Sequence, residues 1–175
     1  MRSLVWWGFP GSDGRGTECT VKGSSRTRYC LRFLIHLARI GSGGDPVPLA
    51  VISTKTGISR RYLEQLAILL KSAGLIRGVS GRKGGYVLTR SSRDITVGDV
   101  VTAASGPILF ADCIGTPTNC IRHEFCECRP IWVLVNREIE NVLGRYSLAD
   151  LTDERALNRL RSDAALLDGR VALEG

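Results

Sequence analysis

The chain is 175 residues long, enough for one domain with its own core or a small domain with an appendage. Aliphatic residues abound while aromatics make up 6%, which suits a helical globular protein. No apolar run approaches the roughly 18 residues that a membrane span needs.

Charge is unevenly spread. Residues 21–90 carry thirteen Lys or Arg against Asp45 and Glu64, net +11, whereas residues 91–175 carry nine Arg against thirteen acids, net −4. A basic front beside an acidic back is the footprint of a polyanion-binding module joined to something else. Residues 1–20 are rich in glycine, neutral in sum and without an amphipathic period, so they read as a disordered N-terminal extension. Their apolar patch is broken by Gly8 and Pro10 and makes a poor signal peptide. Without export the thiols stay reduced, which predicts a cytoplasmic protein and favours metal or redox chemistry over structural disulfides.

From Arg26 the residues Cys30, Phe33, Leu34, Leu37 and Ala38 recur at i, i+3, i+4, i+7, i+8, predicting an amphipathic helix to about Ile40. His36 lies within it and reads as structural or solvent-facing. GSGGDP breaks the pattern at Gly41 to Pro46. A short helix from Pro48 uses Leu49 and Ile52 and ends near Gly57, a residue suited to a left-handed cap. Ser59 can cap the next helix, whose buried stripe is Leu63, Leu66, Ala67 and Leu70 and which stops at Gly74. Two helices joined by a tight glycine turn form a helix-turn-helix. The second presents Arg60, Arg61, Glu64 and Gln65 in its first turns, where recognition helices meet base edges.

Leu75 to Val79 and Tyr86 to Thr89 then read as strands, joined by the glycine-rich SGRKGG. Arg82 and Lys83 at the tip can reach phosphate or the minor groove. GRKGG lacks the spacing of a nucleotide phosphate loop. Helix, helix-turn-helix and basic wing in succession predict binding to double-stranded DNA.

Four cysteines follow within sixteen residues, Cys113, Cys120, Cys126 and Cys128, in CIGTPTNCIRHEFCEC. Gly115, Pro117 and Asn119 mark the stretch as loop, and a loop has no packing reason to gather thiols. Soft sulfur ligands suit iron–sulfur clusters, zinc or copper(I). Beyond Pro130 the residues Ile131, Leu134, Val135, Ile139, Val142 and Leu143 recur at helical spacing to about Tyr146. Such a stripe packs on another helix or on its own domain. The segment after Leu151 is charged and weakly periodic, and reads as frayed helix or disorder.

VPLAVISTKTGISRRYLEQLAILLKSAGLI, with GRKGGYVL, DITVGDVVTAA and the spaced cysteines, resembles the IscR/NsrR-type (Rrf family) winged-helix transcription regulators, from about Val21 to Leu151. The resemblance implies a mainly α fold with a small β-hairpin: winged helix-turn-helix over residues 21–104, cysteine loop over 105–128, dimerisation helix over 129–152 and tail over 153–175. It implies a homodimer on a palindromic operator, with Ser59, Arg60, Tyr62, Glu64 and Gln65 in the recognition region. Tyr62 and Leu63 lie beside the apolar stripe and read as core or backbone contacts. Many relatives have arginine before the first wing glycine; here Ser80 stands there and Arg82 follows Gly81.

The resemblance also implies an iron–sulfur cluster whose state sets DNA affinity. Cys113, Cys120 and Cys126 match the ligand spacing of cluster-binding relatives, and the placement of ligands in one loop favours [2Fe–2S] over [4Fe–4S]. The fourth ligand departs from the family. Arg129 stands where some relatives have histidine, and Arg28 where others have an acid. Cys128 is the nearest replacement and His123 the second choice. Structural zinc, a cluster-free thiol sensor and an electron-transfer iron–sulfur protein are the alternatives. The last has no use for the basic segment. No Ser/His/Asp set, carboxylate pair or phosphate loop supports an enzyme, a small-molecule substrate or, with no apolar span, a membrane partner.

Overall fold

The computed structural model describes residues 24–41, 44–116, 120 and 125–173. Both the expected N-terminal extension and His123 lie outside these residues. The chain is mainly α-helical with one antiparallel hairpin, the pattern of a winged helix-turn-helix. Among the described residues no helix is long and apolar enough to cross a membrane.

Helix α1, Ser25–Ile40, starts where Ser24 Oγ accepts from Thr27 N at 3.2 Å. It buries Cys30, Phe33, Leu34 and Leu37, the stripe read from the sequence. Helix α2, Leu49–Thr56, ends at Gly57 with φ +70°, a left-handed conformation that costs glycine little and other residues more. Helix α3, Arg60–Ser72, is capped by Ser59 and buries Leu63, Leu66, Ala67 and Leu70 as expected.

Strands β1, Ile76–Val79, and β2, Gly85–Leu88, pair from Ile76↔Leu88 to Val79↔Gly85, one residue off the expected bounds. Val47 adds a single bridge to this wing, exchanging two 2.9 Å backbone bonds with Tyr86. That contact explains Gly85, since a Cβ there would run into the Val47 backbone.

Most of the later elements carry no clear periodic signal. Helix α4, Val97–Ser105, is started by a capping box in which Thr96 and Asp99 satisfy each other's backbone N–H groups at 3.0 Å. It packs against α1, α3 and α6. After the short α5, Asp112–Gly115, and the long α6, Arg129–Arg145, the chain turns back at Tyr146. Ser147 and Asp150 form a second capping box that starts α7, Leu148–Thr152. Hydrogen bonds from Ser147 hold the Asp150 carboxyl below its ordinary range. Helix α7 lies on α1 and buries Leu148 in the main core. Of the two readings of the segment after Leu151, frayed helix or disorder, the structure takes the helical one, α8, Glu154–Leu173.

Candidate nucleic-acid interface and cysteine loop

The exposed start of α3 is fixed from below. Leu63, one turn in, is fully buried, and Tyr62 packs edge-on against Tyr29 with ring centroids 5.7 Å apart. This anchoring leaves Arg60, Arg61, Glu64 and Gln65 exposed along one side. Arg60 Nε stands 3.3 Å from Glu64 Oε1 in an ion pair of the recognition region that treating each residue singly does not find. Arg82 and Lys83 are exposed at the wing tip, where Gly81 takes φ +117° and Gly84 N–H donates to Gly81 O at 2.9 Å. A groove of about 450 Å³ runs between Arg60 and Glu64 of α3, Pro48 to Ala50 at the start of α2, and Gly84 to Tyr86 of the wing. Helix start, groove and basic tip can together receive a phosphate-bearing duplex.

The cysteine loop is anchored on α6. Asn136, 4% exposed, accepts from Phe110 N at 3.0 Å through Oδ1 and donates through Nδ2 to Glu140 Oε1 at 2.8 Å. Phe110 also stacks on Trp132, with centroids 5.2 Å apart. Asn136 sits in the middle of α6, and a buried amide of this kind leaves no periodic signal in the sequence. Beyond the anchor, Cys113 lies in α5 and is half-buried, as are Cys120 and Cys126, while Cys128 is exposed at the N-cap of α6. Thiols on an accessible loop are the donor chemistry an iron–sulfur cluster takes. Among the described residues, no three His, Cys, Asp or Glu stand together as a metal-holding group. Cys30 is different in kind. It is fully buried in α1, and burial pushes its thiol up to about 11, so it is a packing residue.

The family model Rrf2, described as an iron-dependent transcriptional regulator, matches residues 23–154. Protein rrf2 of Nitratidesulfovibrio vulgaris is 36% identical over 137 residues, covering 78% of this chain and 91% of that protein. The regulator IscR of Erwinia tasmaniensis is 34% identical over 134 residues, covering 77% of this chain and 80% of IscR. The solved structure of CymR, the global cysteine regulator of Bacillus subtilis, superimposes with a TM-score of 0.64 at 32% identity, over 76% of this chain and 97% of CymR.

Proposed function

The chain belongs to the Rrf2 family of transcriptional regulators, and from that premise we propose that it binds an operator as a homodimer and holds an iron–sulfur cluster on its cysteine loop. It is a DNA-binding regulator and not an enzyme. A regulator bound to an operator would work in the cytoplasm.

The observation that carries the cluster reading is the thiol set itself, gathered on a loop that α6 anchors through Asn136. Cys113, Cys120 and Cys126 would be ligands, with Cys128 the fourth. When bound, the cluster would supply a redox-active group sensitive to oxidants, nitric oxide and iron supply. The chain's own residues would do the rest. The Asn136–Phe110 bond and the Phe110–Trp132 stack tie the loop to α6, and α6 packs on α4, which in turn packs on α1 and α3. A change of order in the loop therefore reaches the winged domain through packed helices, and DNA affinity shifts by the difference in binding free energy between the two loop states.

The apolar stripe of α6 supports the homodimer. Ile131, Leu134 and Val142 remain 51%, 56% and 46% exposed, so their own domain does not cover them. A second copy would, and its two-fold axis matches a palindromic operator. Leu134→Glu should place a charge in that interface and give a monomer by light scattering, with unfolding temperature little changed. A dimer of wild-type affinity would move the interface elsewhere.

Ser59, Arg60, Arg61, Glu64, Gln65, Arg82 and Lys83 would form the DNA contact. Arg61→Ala and Lys83→Ala should each weaken operator binding and lower the salt slope by about 1, as loss of one phosphate contact does. Glu64→Ala should instead broaden sequence preference, because a carboxylate accepts from cytosine N4. Unchanged affinity and footprint in all three variants would rule out this face.

A second reading, a thiol- or zinc-based regulator, is favoured by the likeness to CymR, which has also been solved in an oxidised form from Staphylococcus aureus. Protein purified without oxygen separates the two. A cluster gives visible absorbance with matched iron and sulfide; zinc without sulfide, or no metal, supports the second reading.

A further inference from the structure

Helix α3 begins against its own dipole. Arg60 and Arg61 occupy its first turn, where a helix N-terminus disfavours positive charge, and no acid stands there to offset them. The nearby carboxylate, Glu64, lies four residues on, and Arg before Glu is the weaker order for such a pair. Helix stability therefore does not account for the arrangement. The ion pair still forms, with side chains 70% and 52% exposed, and both residues line the groove between α2 and the wing. A polyanion reaching this groove meets a carboxylate already partnered by a guanidinium.

We infer that Arg60 is a specificity-determining residue that acts through Glu64, an inference that rests on α3 being the recognition helix. Alone, a carboxylate at this place repels phosphate and accepts from few base edges. Arg60 offsets that repulsion and holds the carboxylate along the groove wall, so the pair meets DNA as one nearly neutral unit. An exposed pair is weak in water, so its members can be drawn to new partners when the duplex arrives. Losing Arg60 alone leaves a bare carboxylate facing phosphates. Losing both removes the repulsion along with the contact.

The probe is the duplex that full-length wild-type protein selects from a random-sequence pool, with each base pair then varied in turn. Wild type, Arg60→Ala, Glu64→Ala and the double variant are compared by affinity and by tolerated bases. Arg60→Ala should weaken binding more than Glu64→Ala. The double variant should bind roughly tenfold more tightly than the two single losses multiplied together predict. Arg60→Ala should also narrow the set of tolerated base pairs, which loss of a simple phosphate contact does not. Arg60→Lys, which keeps the charge, should recover most of the affinity. Multiplicative losses, with base preference unchanged in Arg60→Ala, overturn the inference and leave α3 as the reading helix. Unchanged affinity and preference in every variant remove the recognition helix itself, and the inference with it.

Discussion

Serine in place of Cys113, Cys120 or Cys126 should strip the purified protein of iron, sulfide and visible absorbance together. A hydroxyl is a harder and far weaker ligand than a thiolate, and a cluster reduced to three ligands is exposed to solvent and lost. The three thiols are half-buried in and around the anchored loop, so each can be partly shielded yet reached. Cys128 stands apart: it is exposed at the N-cap of α6, separated from Cys126 by Glu127 alone. Cys128→Ser should lower cluster retention, while His123→Ala should leave it intact. Cys30 supplies the control. Its thiol is fully buried on the core side of α1, so Cys30→Ala should keep full iron per folded molecule. Full iron and sulfide in any one of the three loop variants would remove that residue from the ligand set.

Periodicity made the DNA-binding half readable. The stripes of α1 and α3 repeat often enough to define a face, and Gly57 and SGRKGG mark chain reversals by their chemistry. Features that depend on distant partners left little trace. Val47 joins the wing through a backbone bridge to Tyr86, and α4 announces itself only by Thr96 and Asp99, three residues apart. The pairing of Arg60 with Glu64 was implicit in their spacing, yet each reads as a separate contact until the helix places them together. The cysteine loop shows the opposite limit. Spacing singles out candidate donors and says nothing of how far apart the folded chain holds them.

Leu148→Ala should be the most destabilising single change outside the DNA-binding helices, by about 3 to 5 kcal/mol, the upper part of the range for a buried leucine. The side chain is fully buried in the main core although it follows the long α6 in sequence. Its surroundings cannot readily close over the cavity. Leu148 N–H donates to Ile95 O at 2.9 Å and Ala149 N–H to Ser92 O at 3.0 Å, while Val97 N–H donates to Tyr146 O at 2.8 Å. The Ser147–Asp150 capping box holds the same turn from the other side. With so many backbone bonds fixing the site, the lost contacts stay lost. That loss is a large share of the roughly 5 to 15 kcal/mol that stabilises an ordinary domain. Leu166→Ala on α8 is the matched control: that residue is 69% exposed, and its loss should change stability by less than about 0.5 kcal/mol. The consequence for regulation follows from position. Helix α7 is the clasp that returns the end of α6 to α1, so loosening it should weaken the link between the cysteine loop and the DNA-binding helices at temperatures below unfolding. Chemical denaturation measures the first effect. Operator affinity of the metal-loaded and metal-free forms measures the second, and the gap between them should shrink in Leu148→Ala. A variant as stable as wild type would show that α7 does not hold the core, and an unchanged gap between the two forms would leave the packing of α6 on α4 as the sole route from loop to winged domain.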